Sequence, residues 1–285
     1  MWGSMPISRN LILASLLGAL CGAPLMAEVP QRVVSMNLCT DQLAMMLAAP
    51  GQLLSVSHLA SDPRGSAMAD EAKAYPPNHG LAEEIYLMQP DLVLAGSFTS
   101  RATVAMLQRL GVRVEIFEPA YGLDEIPGQI RRMGAILGRE DEAQTMLETY
   151  EADLAAFQDE VTRNPRAAIY AANGYTQGDR SLSGQILIAA GFANVAEEVG
   201  FSDGGIMPLE QLVMLAPEAV ITSRPYPGNS RAEDVMLHPA LIASQDDLAR
   251  GTFSDRDWVC GTPFVLRAVT EMAALRRALT SDRGN

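Results

Sequence analysis

Two stretches of the chain carry one pattern at a fixed spacing. Glu83-Glu-Ile-Tyr-Leu-Met-Gln-Pro90-Asp-Leu-Val-Leu94 aligns without a gap on Glu210-Gln-Leu-Val-Met-Leu-Ala-Pro217-Glu-Ala-Val-Ile221, each residue matching the one 127 positions later. In both copies an acid stands seven positions before a proline, an apolar helical stripe lies between, a second acid follows the proline, and an apolar run comes next. Proline cannot continue a helix, so each copy reads as helix, stop, strand. A unit repeated at this distance predicts two lobes of like construction. Helix–proline–strand units are common in α/β folds and account for the apolar positions on their own. The paired glutamates are less easily explained that way, although an acid at a helix start also complements the helix dipole.

The rest of the chain fits two α/β lobes. Arg32-Val-Val-Ser-Met36 reads as a strand leading through a loop into a helix with Leu43, Met46 and Leu47 on one side, Thr40 being a plausible N-cap. Gln52 to Ser57 is a second strand, Ser61 to Asn78 an irregular loop, Leu81 to Met88 a helix, Asp91 to Ala95 a strand, and Val112 to Phe117 another. Strands alternating with helices imply parallel sheets covered on both faces. From Asp124 to Arg163 no strand is found, and Ala143, Met146, Leu147, Tyr150, Leu154, Phe157 and Val161 recur at helical spacing. A helix from about Glu140 to Thr162, roughly 35 Å long, would act as a strut. The α/β pattern then resumes, with strands at Ala167 to Ala171 and Ala219 to Thr222 and a closing helix from Pro263 to Leu279. The expected organisation is a signal peptide over 1–27, an α/β lobe over 28–122, a connecting helical segment over 123–165 and a second lobe over 166–285.

The first 27 residues read as an address. Arg9 supplies a positive start, Leu11 to Leu20 an apolar stretch too short for a convincing membrane span, and Ala23 to Ala27 a small-residue exit. Cleavage after Ala27 would release the chain into the periplasm. Cys21 admits lipid anchoring, but Leu20 before it is bulky where a small residue is expected. With 21 Lys+Arg against 34 Asp+Glu, a net charge of -13 and no basic run, nucleic acid is excluded as a partner. Past Ala27 only Cys39 and Cys260 remain. An oxidising compartment favours a bridge between them; left unpaired, they would be soft-metal ligands or reactive thiols.

The exported acidic chain, the Arg32-Val-Val-Ser start, the two Glu-x6-Pro-[Asp/Glu] units, the connecting helix and the closing Asp257-Trp258 loop with its helix together resemble a known family. It is the helical-backbone (class III) cluster of periplasmic substrate-binding proteins of ABC importers, which carries cobalamin, ferric siderophores and haem. The resemblance covers essentially the whole chain after Ala27. It implies two Rossmann-like lobes joined by one long helix, a ligand clamped between them, and a monomer that delivers its cargo to an ABC permease dimer in the inner membrane. In similar proteins one glutamate on each lobe docks with arginines of the permease; the matching residues are Glu83 and Glu210, with Glu84 as neighbour to the first. Two carboxylates on a pseudo-symmetric body suit a two-fold arrangement of guanidinium groups.

In such lobes ligands meet the loops at the carboxyl ends of the strands. That rule selects Asn37 to Thr40, His58 to Arg64, Gly96 to Arg101, Asn173 to Arg180, Ser223 to Tyr226 and Asp257 to Thr262. Among them Phe98, Tyr175, Tyr226 and Trp258 could stack on a corrin, catechol or porphyrin face. Arg64, Arg101, Arg180 and Arg224 could pair with an anionic ligand, and lean toward a siderophore. His58 and His79 could ligate cobalt or iron axially. Cys39 and Cys260 both fall in expected cleft loops, where a bridge would sit beside the ligand.

No resident metal or cofactor is expected, and enzyme motifs are missing. The chain has no Gly-x-Ser-x-Gly, P-loop, dinucleotide fingerprint, Cys-x-x-Cys or His-Glu-x-x-His. The function read from the sequence is capture of a ferric siderophore or cobalamin. The alternatives are a periplasmic metal or haem chaperone using Cys39, Cys260 and His58, or an enzyme on the same scaffold.

Overall fold

Short β-branched runs flanked by helices build the first lobe in the computed structural model. It describes residues 28–157 and 163–224 without a break, then 230–239, 249–253 and 255–282, together with Trp2, Val161, Gly228 and Leu241. The expected signal peptide, Trp2 apart, lies outside the described residues, as does Tyr226. Strands β1 (Val33–Ser35), β2 (Leu53–Ser57), β3 (Pro77–Asn78), β4 (Leu92–Gly96) and β5 (Arg113–Phe117) form one parallel sheet in the order β3-β2-β1-β4-β5. Side chains alternate across a strand, so β1 and β4, buried on both faces, feed two cores. Val33, Leu92 and Leu94 meet Leu43 and Leu47 of helix α1 (Leu38–Leu47). Val34, Met36 and Val93 meet Ile85 of α2 (Ala82–Leu87) and Leu107 of α3 (Arg101–Arg109).

Two local expectations are corrected. Asn37, not Thr40, caps α1: its Oδ1 accepts the N–H of Cys39 at 3.0 Å and of Thr40 at 3.4 Å, while the Thr40 hydroxyl donates back to the Asn37 carbonyl. The segment from Ser61 to Asn78, read as loop, closes in β3, whose proline is tolerated because β3 is an edge strand.

The connection is two helices rather than one. α4 (Ile126–Leu137) packs on α1, and α5 (Glu140–Ala156) folds back along it. Gly138 reverses the chain at φ 65, and Gly134 lets the pair approach closely, since a Cβ there would collide with that of Ala143. α5 ends at Ala156 instead of Thr162, about 25 Å from its start.

The second lobe runs through β6 (Arg166–Ile169), β7 (Tyr175–Thr176), α6 (Leu182–Ala189), β8 (Ala193–Asn194), α7 (Val195–Glu198), β9 (Gly205–Ile206) and α8 (Leu209–Leu215). It closes with β10 (Ala219–Ser223), β11 (Ala249–Phe253), α9 (Asp255–Trp258) and α10 (Val265–Asp282). Its parallel sheet has the order β11-β10-β6-β8, and β7 pairs antiparallel with β9. Matching β6 with β1 and β10 with β4, the second sheet repeats the order of the first without a counterpart of β3.

The sequence repeat is a structural repeat in detail. Ile85 and Leu212, 127 positions apart, are the buried residues of their short helices, and each packs on its own lobe's outer core. Gln89 and Ala216, also 127 apart, both take left-handed backbone (φ 50 and 42) just before the proline. The acid after each proline then grips the entry of the neighbouring strand. Asp91 accepts the N–H groups of Gln31 and Arg32, and Glu218 accepts that of Arg166. Arg32 in turn donates to the Met88 and Gln89 carbonyls, and Arg166 to that of Ala216, which satisfies helix-end acceptors that the turn leaves open.

Candidate ligand-binding cleft and docking residues

Chain leaving β1, β4 and β5 in the first lobe meets chain from 175 to 183 and from 258 to 261 in the second, and two chambers open at the junction. The larger, of about 610 Å³, takes Pro119, Ala120 and Tyr121 from one side and Tyr175, Gln177, Arg180, Asp203 and Trp258 from the other. The smaller, of about 300 Å³, is lined mainly by the first lobe, including Asn37, Ser97, Phe98, Glu118 and Gln129, and is closed by Val259 and Gly261. Pro119, Ala120 and Val259 border both chambers.

The seam under this cleft is covalent. Cys39, at the start of α1, and Cys260, after α9, form a disulfide across 221 positions of sequence, with Cα atoms 5.1 Å apart. Beside it the Thr262 hydroxyl reaches Gln42 Oε1 at 3.4 Å, and Gly261 lies so close to Ala120 that a Cβ would collide with it. One turn into α1, Asp41 is wholly buried and accepts the backbone N–H and hydroxyl of Ser57. Burial pushes its pKa up to about 6, against the opposing pull of those hydrogen bonds and of the nearby His58.

The aromatic candidates divide. Phe98 is 83% exposed in the smaller chamber, and Tyr175 stands half-open in the larger. Trp258 borders the larger chamber but is only 3% exposed, its ring 5.5 Å from that of Phe253. It floors the chamber as part of the core and presents no free ring face, because α9 turns it inward against β11 and α10. Tyr121, which the sequence reading did not select, is exposed on the facing wall. It follows β5, and the rule that ligands meet strand exits reaches it once that exit is counted.

Of the four arginines considered, Arg180 lines a chamber and Arg64, Arg101 and Arg224 line neither. Arg180 is held by Asp203 through paired hydrogen bonds, Nε to Oδ1 at 2.8 Å and Nη2 to Oδ2 at 2.7 Å. Arg64 reaches across to the Arg224 carbonyl at 3.5 Å, and Arg101 is exposed at the start of α3. His58 lies outside both chambers with its ring stacked on His79, centroids 5.1 Å apart.

A chaperone built on Cys39, Cys260 and His58 is not supported. Both sulfurs are spent in the disulfide, and no group of three or more His, Cys, Asp or Glu among the described residues is arranged to hold a metal ion. No helix among them is long and apolar enough to cross a membrane.

Away from the cleft, Glu83 and Glu210 each occupy the second position of a short helix and are exposed. Glu84 is engaged: its carboxylate accepts the His79 backbone N–H at 2.7 Å and meets the imidazole at 3.3 Å. Burial acts to raise its pKa, but the hydrogen bonds from His79 outweigh it and hold the carboxyl below its ordinary value.

Comparison with known proteins identifies the family and the fold. A family model described as periplasmic binding protein matches residues 33–245. Two curated proteins named cobalamin-binding protein, from two strains of Halobacterium salinarum, are each 25% identical over 198 residues, covering 68% of this chain and 54% of theirs. The chain thus spans about half the length of the curated relatives it matches. Among solved structures, the apo form of the periplasmic heme-binding protein RhuT from Roseiflexus sp. RS-1 has a TM-score of 0.72 at 19% identity, covering 87% of this chain and 98% of that one. The vitamin B12 binding protein BtuF of Vibrio cholerae has 0.66 at 18%, covering 88% and 98%. A periplasmic heme binding protein from Pseudomonas aeruginosa has 0.68 at 23%, covering 88% and 92%. At these identities the structures speak for the fold.

Proposed function

Since the chain belongs to the periplasmic binding protein family, we propose that it captures a metal-chelate nutrient between its lobes and delivers it to an ABC permease dimer, as a binder rather than an enzyme. The observation that carries the reading is the pair of adjoining chambers at the lobe junction, with Phe98, Tyr121 and Tyr175 offering ring faces to a large flat ligand. The lean toward an anionic siderophore weakens here, because Asp203 already neutralises the one considered arginine that lines a chamber. An uncharged corrinoid suits such a chamber better, in keeping with the name cobalamin-binding protein carried by the curated relatives; haem and ferric siderophores are the competing cargoes. In this reading residues 1–27 direct export, the protein works as a periplasmic monomer, and Glu83 and Glu210 dock on the permease.

The test is thermal unfolding of the chain from Glu28 onward against cyanocobalamin, haemin and several ferric siderophores. A true ligand at one hundred times its Kd stabilises by about 2.7 kcal/mol, which is a shift of several degrees at this size. The expected result is a shift with cyanocobalamin well above those with the others. A shift confined to haemin or to one siderophore would replace the cargo, and no shift with any chelate would overturn the reading.

A further inference from the structure

The repeat preserves one more feature, on the outside. Leu87 and Met214 occupy the same place in the two copies and are 80% and 85% exposed. Each lies two positions after the helix's buried residue, Ile85 or Leu212, and so about 200° round the helix axis on the solvent side. Each also lies four positions after the exposed glutamate, which puts carboxylate and apolar side chain on one helical face. Scattered exposed apolar residues are ordinary. Two at equivalent positions, each on the same face as an acid to which no described residue gives a hydrogen bond or ion pair, form a duplicated compound surface.

We propose that Leu87 and Met214 are apolar anchors of the permease-docking surface, each seated in an apolar socket beside the cation that receives Glu83 or Glu210. The inference rests on the function proposed above and adds to it a component that charge alone does not supply. The occupant is a partner with two-fold symmetry whose halves each present a guanidinium next to an apolar recess. A second copy of this chain would bring the same carboxylates and a net charge of -13 against them. An anionic lipid surface would repel the same carboxylates. A guanidinium–carboxylate contact weakens as salt screens it, whereas burial of Leu87 and Met214 does not. The surface therefore orients the protein by charge and retains it by burial.

The test uses the cargo-loaded protein and its cognate permease reconstituted in lipid vesicles, with vesicles lacking permease as control. Leu87→Ser with Met214→Ser is expected to weaken permease binding about a hundredfold, the lower end of the scale for two buried apolar side chains, equally at low and high salt. Cargo affinity and melting temperature should stay unchanged. Glu83→Gln with Glu210→Gln is expected to weaken binding mainly at low salt. If the serine variant binds like the parent while the glutamine variant is impaired, the anchors are refuted and the docking reading survives. If the parent itself shows no permease binding, the docking reading fails too. The proposal is equally overturned if the serine changes act only on self-association in sedimentation, or only on retention by permease-free vesicles.

Discussion

Arg180 and Asp203 are joined by two hydrogen bonds on the wall of the larger chamber, Nε to Oδ1 at 2.8 Å and Nη2 to Oδ2 at 2.7 Å. Both side chains are largely exposed, so the pair contributes little to stability. The effect expected of it is on selectivity, since it takes up the Nε–Nη2 edge with which the guanidinium would pair bidentately with an anionic cargo. Asp203→Asn releases the guanidinium. Affinity for haemin, with two propionates, is expected to rise about tenfold, the scale of one charge-assisted hydrogen bond. Affinity for cyanocobalamin should change less than about twofold. Parallel titrations of both ligands read the difference, and an equal response of the two would show that Arg180 does not reach the cargo.

What was legible in the sequence follows from periodicity and compartment. The runs at Val33 and Leu92 are continuous and apolar, as strands buried on both faces must be, and the lobe duplication was visible because its helix and strand keep the same residue classes. β8 and β11 were missed because Ala193-Asn194 and Ala-Arg-Gly-Thr-Phe carry no such run; they are strands because a neighbour offers them an edge. The grip of Asp91 on Arg32 spans 59 positions and has no local signature. The neutralisation of Arg180 and the burial of Trp258 likewise depend on partners that only the tertiary structure brings up. A lone Trp in an expected ligand loop looks the same in sequence whether it faces the ligand or the core.

The disulfide joins the lobes at the floor of the cleft and closes a loop of most of the described chain. Replacing both Cys39 and Cys260 by Ser is expected to cost on the order of 2–5 kcal/mol and to lower ligand affinity through a looser lobe junction. Intact-mass measurement of the exported protein should show no alkylation before reduction and two labels after it. Labelling without reduction would mean free thiols.

Asp41 makes stability depend on pH. Its folded pKa, raised by burial to about 6, lies above the ordinary value of 3.8. Between those values the folded protein holds a proton that the unfolded chain has released, so stability falls as pH rises from about 4 to about 6 and then levels off. The amplitude is on the order of 3 kcal/mol, from 1.36 kcal/mol per unit. Asp41→Asn, which keeps the shape and cannot ionise, should flatten this part of the profile in urea unfolding at a series of pH values. An unchanged slope in the variant would place the titration elsewhere.

Glu83 and Glu84 separate by role. Glu84 holds the chain entering α2 through the His79 backbone N–H, so Glu84→Ala is expected to cost about 1 kcal/mol, as loss of a helix-capping contact does. Glu83→Ala should stay within about 0.5 kcal/mol, as for an exposed residue without a structural partner. Chemical denaturation of the two variants distinguishes them, and the reverse ranking would make Glu84 the residue free to dock.

Gly261 is the test of how tightly the lobes are set. It follows the bridged Cys260 and approaches Ala120 so closely that a methyl group would overlap the Ala120 Cβ, while Ile126 Cγ1 stands 3.5 Å away on the same side. Neither neighbour can swing aside, since Ala120 has no rotamers and Ile126 is fully buried. Gly261→Ala must therefore move backbone at the wall common to both chambers. Overpacking of this kind costs about 1–3 kcal/mol, and here part of the displacement widens the cleft. We expect a lower melting temperature together with weakened cargo binding, the second effect exceeding that of Gly134→Ala, which overpacks the α4 and α5 contact away from the chambers. If both variants lose stability and neither loses affinity beyond the other, the spacing of the lobes at Ala120 does not set the fit of the ligand.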